Sequence, residues 1–175
     1  ISFNESVNHS IIINEINYNS SDIFNTEDWI ELYNPTNNTI NLSNWIFKDE
    51  NEDNNFLIPE NIFLPPNEYL VLCKDTTSFI SLFNVVNNYI GNLDFGFNGN
   101  GELLRLYNSN NELIDFVEYD DNDPWPEEPD GNGPTLELIH PDLDNAEAVN
   151  WIGSQGYGSP GILNTISNDS IMLSK

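Results

Sequence analysis

Carboxylate side chains supply most of the chemistry that this sequence could perform. The stretch "DDNDPWPEEPDG", which runs from position 120 to 131, places six acidic residues within twelve positions. Ca²⁺ prefers many carboxylate and carbonyl oxygens supplied by flexible loops. Three prolines stiffen this stretch, so ligands from elsewhere in the fold would have to complete a site. We therefore predict a calcium site whose ligands are Asp120, Asp121, Asp123 and Asp130.

A second acidic stretch, "DENEDNNFLIPE", resembles an EF-hand loop in its spacing. Asp49, Asn51, Asp53 and Glu60 fall at ligand positions of such a loop. Asn54 replaces the glycine that EF-hands need for their sharp turn, and no helical pattern flanks the stretch. Because "NFLIP" has the composition of a strand, the last glutamate would be carried away from the loop. We therefore predict a hairpin turn here instead of a metal site.

The glutamates of the first two predicted strands form a third candidate. Glu15 lies in "IIINEINY" and Glu31 lies in "DWIELYN". If the two strands are antiparallel neighbours, these carboxylates approach each other across the ladder, where like charges are destabilising. Either a metal ion or Arg105, the only arginine of the chain, could then lie between them.

Nucleophilic catalysis lacks the residues that it needs. The two histidines, His9 and His140, belong to no recognisable triad or metal motif. Cys73, the single cysteine, lies in the apolar run "EYLVLCKD", which predicts a buried structural thiol. The glycines of "GFNGNGE" lead into a strand and not into a helix, so they do not form a phosphate loop. We predict that the chain is not an enzyme.

The charge balance limits the possible partners. Asp and Glu number 29 against 4 Lys and Arg, which gives a formal net charge of -25. Such a surface repels nucleic acid and anionic membranes, because binding to either requires basic side chains. It is compatible with divalent cations, basic partners or a saline exterior. No stretch has the length of a membrane helix, so direct membrane insertion is not expected.

Trp125 is the candidate for ligand recognition. It lies between Pro124 and Pro126 within the acidic stretch. An exposed tryptophan could bind a sugar ring or fill a protein groove. The alternative is structural: the side chain folds back over the edge of the domain as a plug, since tryptophan buries a large area and the two prolines fix its pose.

Short β-type segments separated by Asn, Gly, Pro and Asp clusters must position these residues. A single short helix is predicted over residues 77–83, with Thr76 or Thr77 as its N-cap. Alternating or β-branched runs predict strands over residues 11–18, 28–34, 44–49, 55–59, 68–74, 101–108, 111–119 and 135–141. Eight or nine short strands with at most one helix predict an all-β fold, a β-sandwich.

The order of several motifs resembles the lamin tail domain family. They are "NEI" at position 14, "DWIELYNP" at 28, the hairpin ending at Tyr119, "WP" at 125, "DGNG" at 130, "LEL" at 136, "NW" at 150 and "SPG" at 159. The resemblance implies an immunoglobulin-like β-sandwich over residues 11–164, with an N-terminal arm over 1–10 and a polar linker over 165–175. Bacterial members look like non-catalytic modules of secreted or surface proteins, sometimes attached to nucleases or other hydrolases.

The chain lacks the coiled-coil heptads and the basic localisation signal of nuclear members, which favours the bacterial extracellular type. Its end, "TISNDSIMLSK", resembles the linker before the sorting domain of bacterial type IX secretion cargo. We therefore expect a binding or adhesion module, stabilised by calcium, that acts as a monomer on a protein or glycan outside the cell or at its surface. The alternatives are an accessory domain that positions a neighbouring secreted hydrolase or nuclease, and a structural spacer.

Overall fold

The structure, a computed structural model, describes residues 10–165. The predicted arm and linker therefore lie, except for one residue of each, outside the described residues. The elements in chain order are β1 Ile12–Asn17, β2 Trp29–Tyr33, β3 Ile40–Asn41, β4 Ile46–Lys48, β5 Asn55–Leu57, β6 Phe63–Leu64, β7 Tyr69–Cys73, α1 Thr76–Leu82, β8 Tyr89–Gly91, β9 Glu102–Tyr107, β10 Leu113–Tyr119, β11 Leu136–Leu138, a 3-10 helix Ala148–Asn150, and β12 Trp151–Gly153.

These strands form a sandwich of two main sheets. One sheet has six strands in the order β12-β11-β1-β2-β7-β8, and the other has four in the order β10-β9-β4-β5. Neighbours are antiparallel except for β7 and β8, and β3 pairs with β6 in a small separate ribbon. The prediction of an all-β, immunoglobulin-like sandwich is confirmed.

The predicted strand count is wrong, because the described residues contain twelve strands instead of eight or nine. The eight predicted runs correspond to β1, β2, β4, β5, β7, β9, β10 and β11. The missed strands β3, β6, β8 and β12 have two or three residues each. Unlike β4, β5 and β11, which are similarly short, these four strands do not lie within a run that the sequence marks as β-type.

The core lies between the two main sheets, and alternation in β2 and β11 shows which face of the six-stranded sheet it contacts. Ile30 and Leu32 of β2 belong to the central hydrophobic cluster, as do Leu136 and Leu138 of β11. Successive side chains of a strand point to opposite faces. The residue between each pair, a glutamate in both strands, therefore lies on the outer face of the six-stranded sheet.

Helix α1 covers one half of that outer face. Trp29, Val71 and Cys73 form a second buried hydrophobic cluster with Phe79 of the helix. Burial raises the pKa of the Cys73 thiol to about 12, as expected for the structural role that the sequence predicts. The other half of the outer face carries the glutamates and needs a different cover.

The N-cap of α1 differs from the prediction. The helix begins at Thr76, but Asp75 is the capping residue. Its Oδ1 accepts hydrogen bonds from the backbone N–H groups of Thr77 and Ser78, each at 2.8 Å. An aspartate directly before the helix is as good a cap as threonine and lies one position earlier, so Thr76 and Thr77 are in the first turn instead.

A buried carboxylate joins the two sheets. The backbone N–H of Ile13 in β1 donates to Oδ2 of Asp115 in β10 at 2.6 Å, and Asn145 Nδ2 donates to the same oxygen at 2.7 Å. Both strands shift register at this level. A bulge redirects a backbone group away from its own ladder, and here that allows a bond between layers.

Candidate functional site

The structure does not bring the four predicted calcium ligands together. Asp120 and Asp121 each accept a hydrogen bond from Asn122, while Oδ1 of Asp130 accepts one from Asn19 Nδ2 at 2.6 Å. Asp123 is exposed. Within residues 10–165, no group of three or more His, Cys, Asp or Glu side chains is arranged to hold a metal ion. Calcium binding stays a prediction for measurement in solution.

The side chain of Trp125 is packed into the domain, as the structural alternative predicts. Its side chain is 8% exposed and belongs to the central hydrophobic cluster, with its ring 6.0 Å from that of Trp151. Trp151 is itself anchored by a hydrogen bond from Nε1 to the carbonyl oxygen of Asn145 at 2.8 Å. A side chain this buried contributes to packing. Its predicted part in ligand binding is not tested by this geometry and stays a prediction.

The second acidic stretch is a hairpin turn, as predicted. It joins β4 to β5, which pair antiparallel. The carboxylate of Asp49 serves the turn itself, because Oδ1 accepts the N–H of Asn51 and Oδ2 accepts Nδ2 of Asn54, both at 2.7 Å. Glu60 is exposed and lies beyond β5, so the EF-hand spacing has no structural counterpart.

Arg105 is not the partner of the glutamate pair, and this alternative is wrong. The arginine lies on β9 in the opposite sheet, where Nη1 donates to Glu52 at 2.6 Å and Nη2 donates to the carbonyl oxygen of Asp49. Lys48 pairs with the same Glu52 at 2.9 Å, and Lys74 pairs with Glu27 at 2.7 Å. These cations are bound to local partners away from Glu15 and Glu31.

Three glutamates lie side by side where two were predicted. Glu15 of β1 is directly opposite Glu31 of β2 and, on its other side, opposite Glu137 of β11. All three are fully buried. Residues directly opposite in antiparallel strands have Cβ atoms about 5 Å apart. We call these three residues the glutamate cluster.

Residues 158–165, here called the cover segment, lie over the glutamate cluster. The N–H of Ser159 donates to Glu15 at 3.0 Å, and the N–H of Gly161 donates to Glu31 at 2.6 Å. Glu137 accepts from the hydroxyl of Ser159 at 2.7 Å and from the N–H of Thr165 at 2.9 Å. Every glutamate of the cluster thus accepts a hydrogen bond from this one segment.

Burial and mutual repulsion keep protons on the glutamate cluster. Burial, followed by the charges of Glu31 and Glu137, raises the pKa of Glu15 well above its ordinary value. Burial raises the pKa of Glu31 to about 8 and also raises that of Glu137. Oε2 of Glu15 accepts no hydrogen bond from the described part of the chain. The cluster therefore holds a carboxylic acid at neutral pH.

Glu137 was not predicted as a member of the glutamate cluster, although the sequence contains an indication of it. The runs "IEL" in β2 and "LEL" in β11 have the same apolar–Glu–apolar pattern. A glutamate between two aliphatic residues of a buried strand has to lie on the face opposite the core. The pattern does not show that β11 pairs with β1, because these two strands are far apart in the sequence.

An apolar surface patch next to the cover segment was not predicted from the sequence. The ring of Phe24 stacks on Tyr157 at 4.1 Å and meets Phe83 edge-on at 5.3 Å. Gly161 of the cover segment approaches Val86, so the chain after α1 and the cover segment adjoin. We define the Phe24 patch as Ile23, Phe24, Phe83, Val85, Tyr157 and Ile162.

Two comparisons with known proteins test which family has this architecture. The profile of the family described as Lamin Tail Domain matches residues 4–121, more than half of the chain. The comparison with curated proteins found no match. In the part of the chain that the structure describes, no helix has the length and apolar character needed to cross a membrane. The β-sandwich and the profile agree, and the chain belongs to the lamin tail domain family, an immunoglobulin-like and non-enzymatic class of domain.

Proposed function

We propose that this domain is a non-catalytic binding module of a secreted or surface-attached bacterial protein, and that it binds a protein partner through the Phe24 patch. The observation that carries the proposal is the exposure of aliphatic side chains at that patch. Ile23 is 84% exposed, Val85 is 79% exposed and Ile162 is 63% exposed. Contiguous apolar patches on soluble proteins mark interaction sites.

The construction of the patch supports binding over chance exposure. Its residues come from three segments that are distant in sequence, and the ring of Phe24 contacts the rings of both Tyr157 and Phe83, which joins the three segments. Exposed Asp22 precedes Ile23 in the sequence. Aromatic residues are enriched at the core of protein interfaces. A sugar ligand would instead need polar groups that face its hydroxyls.

The charge of the chain indicates the chemistry of the partner. With a formal net charge of -25, a second copy of this chain would be repelled at long range. A partner with an apolar centre and a basic rim would be attracted, and its association rate would fall as salt is added. The proposal is therefore a basic protein at an extracellular surface, while a glycan is an outcome that the experiment can distinguish.

The test is a protein and glycan array probed with four forms of the domain. The wild type is compared with Ile23→Ser/Val85→Ser, which alters the patch, and with Leu57→Ser/Val149→Ser, which alters two exposed residues outside the patch. We expect the patch variant to lose about tenfold or more in affinity for basic proteins, while the control keeps its affinity. Equal binding by both double variants would reject the patch.

Trp125→Ala is the fourth form and tests the earlier candidate separately. Loss of glycan signal in this variant, with the patch variant unaffected, would favour a glycan at Trp125. The alternative function, an accessory domain that positions a neighbouring hydrolase or nuclease, is favoured if the full-length protein contains such an enzyme. A spacer is favoured if neither surface binds any probe.

The extracellular location is part of the proposal. It is supported by the acidic composition and by the resemblance of residues 165–175 to a type IX linker. Fractionation of cells that produce the full-length protein, followed by detection with an antibody to the domain, tests it. Detection only in the cytoplasm would contradict it.

A further inference from the structure

The glutamate cluster concentrates three carboxyl groups on one level of the six-stranded sheet. The register places Glu15 between Glu137 and Glu31 on three adjacent strands. Like charges directly opposite one another in a sheet are destabilising, and burial strengthens the repulsion. Three ionised carboxylates at this spacing would need protons, a cation or water to be tolerated.

The elements packed around the cluster bring no positive charge to it. The cover segment contains no ionisable side chain, and β12, next to β11, contains none either. On the far side of β2 lies Tyr69 of β7, whose pKa is raised by burial and then by the charge of Glu31. Tyr33, two positions after Glu31 on β2, contacts the ring of Tyr69, and its pKa is raised by burial and then by the charge of Asp142. Among the described residues, no Lys, Arg or His lies within ion-pair distance of any of the three glutamates.

The cover segment is attached to the sheet mainly through these same carboxyl groups. The backbone N–H groups of Ser159, Gly161 and Thr165 all donate to glutamate oxygens, and so do the hydroxyls of Ser159 and Thr165. Asn164 adds bonds to the backbone carbonyls of Asn14 and Leu138. Opening the segment would therefore return the carboxyl groups to water.

We infer that the cover segment is a proton-dependent latch, which is closed over the glutamate cluster when a proton is bound there and opens as that proton is lost at alkaline pH. The inference does not depend on the proposed binding function. It has a consequence for that function, because Ile162 belongs to both the latch and the Phe24 patch. Opening the latch would remove part of the patch.

The direction of the pH effect follows from proton linkage. In the closed state the glutamates hold a proton up to about pH 8, the pKa of Glu31, whereas in the open state they regain ordinary values near 4.5. Between these limits the closed state binds more protons than the open state. The opening free energy therefore falls as pH rises through this window, and the opening constant increases about tenfold for each pH unit per proton released.

Hydrogen–deuterium exchange of the full chain between pH 6 and pH 9, corrected for intrinsic exchange rates, tests the latch. We expect the protection of peptides that cover residues 157–165 to fall by about tenfold per pH unit up to about pH 8. Peptides from β9 and β10, which exchange only when the whole domain unfolds, should remain far more protected than the cover segment at every pH. Equal protection of the cover segment at pH 6 and pH 9 would overturn the inference.

Glu31→Gln removes the carboxyl group whose pKa sets this pH window, while keeping the size and an acceptor oxygen for the N–H of Gly161. We expect its cover segment to lose clearly less protection between pH 6 and pH 9 than that of the wild type. The matched control is Glu102→Gln on β9, because burial also raises the pKa of Glu102, to about 7, on a different sheet. This control should retain the pH dependence of the wild type.

A Glu31→Gln variant whose cover segment opens with pH as readily as that of the wild type would reject the proton as the cause. If the variant does not fold, the pH series on the wild type decides the matter without it.

Discussion

Gly158 lies directly above Glu15. A Cβ atom at Gly158 would be 2.5 Å from Oε1 of Glu15 and 2.9 Å from Oγ1 of Thr135, and the glycine has a φ of +99°. The backbone of the cover segment thus approaches the carboxyl group more closely than any side chain would allow. Glycine is needed at this position both for its φ and for the space that it leaves.

Gly158→Ala should therefore destabilise the domain through the cover segment. The control is Gly156→Ala, because Gly156 also has a positive φ, of +77°, but a Cβ there meets nothing within 4 Å. Both variants carry the left-handed backbone cost, and only the first adds a clash. We expect the free energy of unfolding in urea to be lower for Gly158→Ala by about 1–3 kcal/mol. Equal losses would show that the segment moves away freely.

Global stability should decline from mildly acidic to alkaline pH. The pKa values of Glu31, about 8, and of Asp28, about 6, both lie above their ordinary values, mainly because of burial. The folded chain therefore binds more protons than the unfolded chain above about pH 4.5. The free energy of unfolding should fall by about 1.4 kcal/mol per pH unit for each such proton as pH rises toward 8. Urea titrations at several pH values measure this slope, and Glu31→Gln should reduce it.

The bond between Ile13 and Asp115 should be a major contribution to the cohesion of the sandwich. Asp115→Ala removes the acceptor of a backbone N–H and of Asn145 at a fully buried position. We expect a loss of about 2–4 kcal/mol in the free energy of unfolding. Asp115→Asn keeps one carbonyl oxygen and should lose less. The prediction fails if the alanine variant is as stable as the asparagine variant.

Calcium should raise the melting temperature only at millimolar concentration. Among the described residues, Asp120, Asp121 and Asp123 do not form a group arranged to hold a metal ion. An ion would therefore have to rearrange them and would bind weakly, as in extracellular modules. The measurement compares thermal melts in EDTA, in calcium and in NaCl of equal ionic strength. The same melts of an Asp120→Asn/Asp121→Asn/Asp123→Asn variant are the control. A rise that is equal in the variant would assign the effect to screening.

The sequence predicts those parts of the fold that local patterns determine. Glu15 and Glu31 could be paired in advance, because Glu15 lies in a run rich in β-branched residues, Glu31 lies in an alternating run, and the two strands are consecutive. The hairpin at Asp49 was likewise predictable, because an acidic, asparagine-rich turn lies between two short apolar runs. Even the plug at Trp125 could be proposed, since prolines on both sides limit its pose.

Features that depend on long-range contacts were not predictable. Glu137 joins the glutamate cluster only because β11 pairs with β1, and Phe24 meets Tyr157 only after the sheet has formed. Arg105 was predicted as a possible partner of Glu15 and Glu31. This is wrong because β9, which contains the arginine, belongs to the four-stranded sheet. No local preference determines which sheet a strand joins, and a long loop must close before such contacts form.

The scarcity of basic residues also limits where trypsin-like proteases can cut. The chain has four Lys and Arg residues, and three of them lie in the described region. Lys48 and Arg105 face each other on β4 and β9, and the N–H of Lys74 is bonded to the carbonyl oxygen of Asp28. Cleavage requires an unfolded backbone around the scissile bond. Two of the three basic residues of residues 10–165 thus lie within paired strands, and Lys74 follows directly after the end of β7. We therefore expect trypsin to cut residues 10–165 only after the backbone around one of these three residues opens.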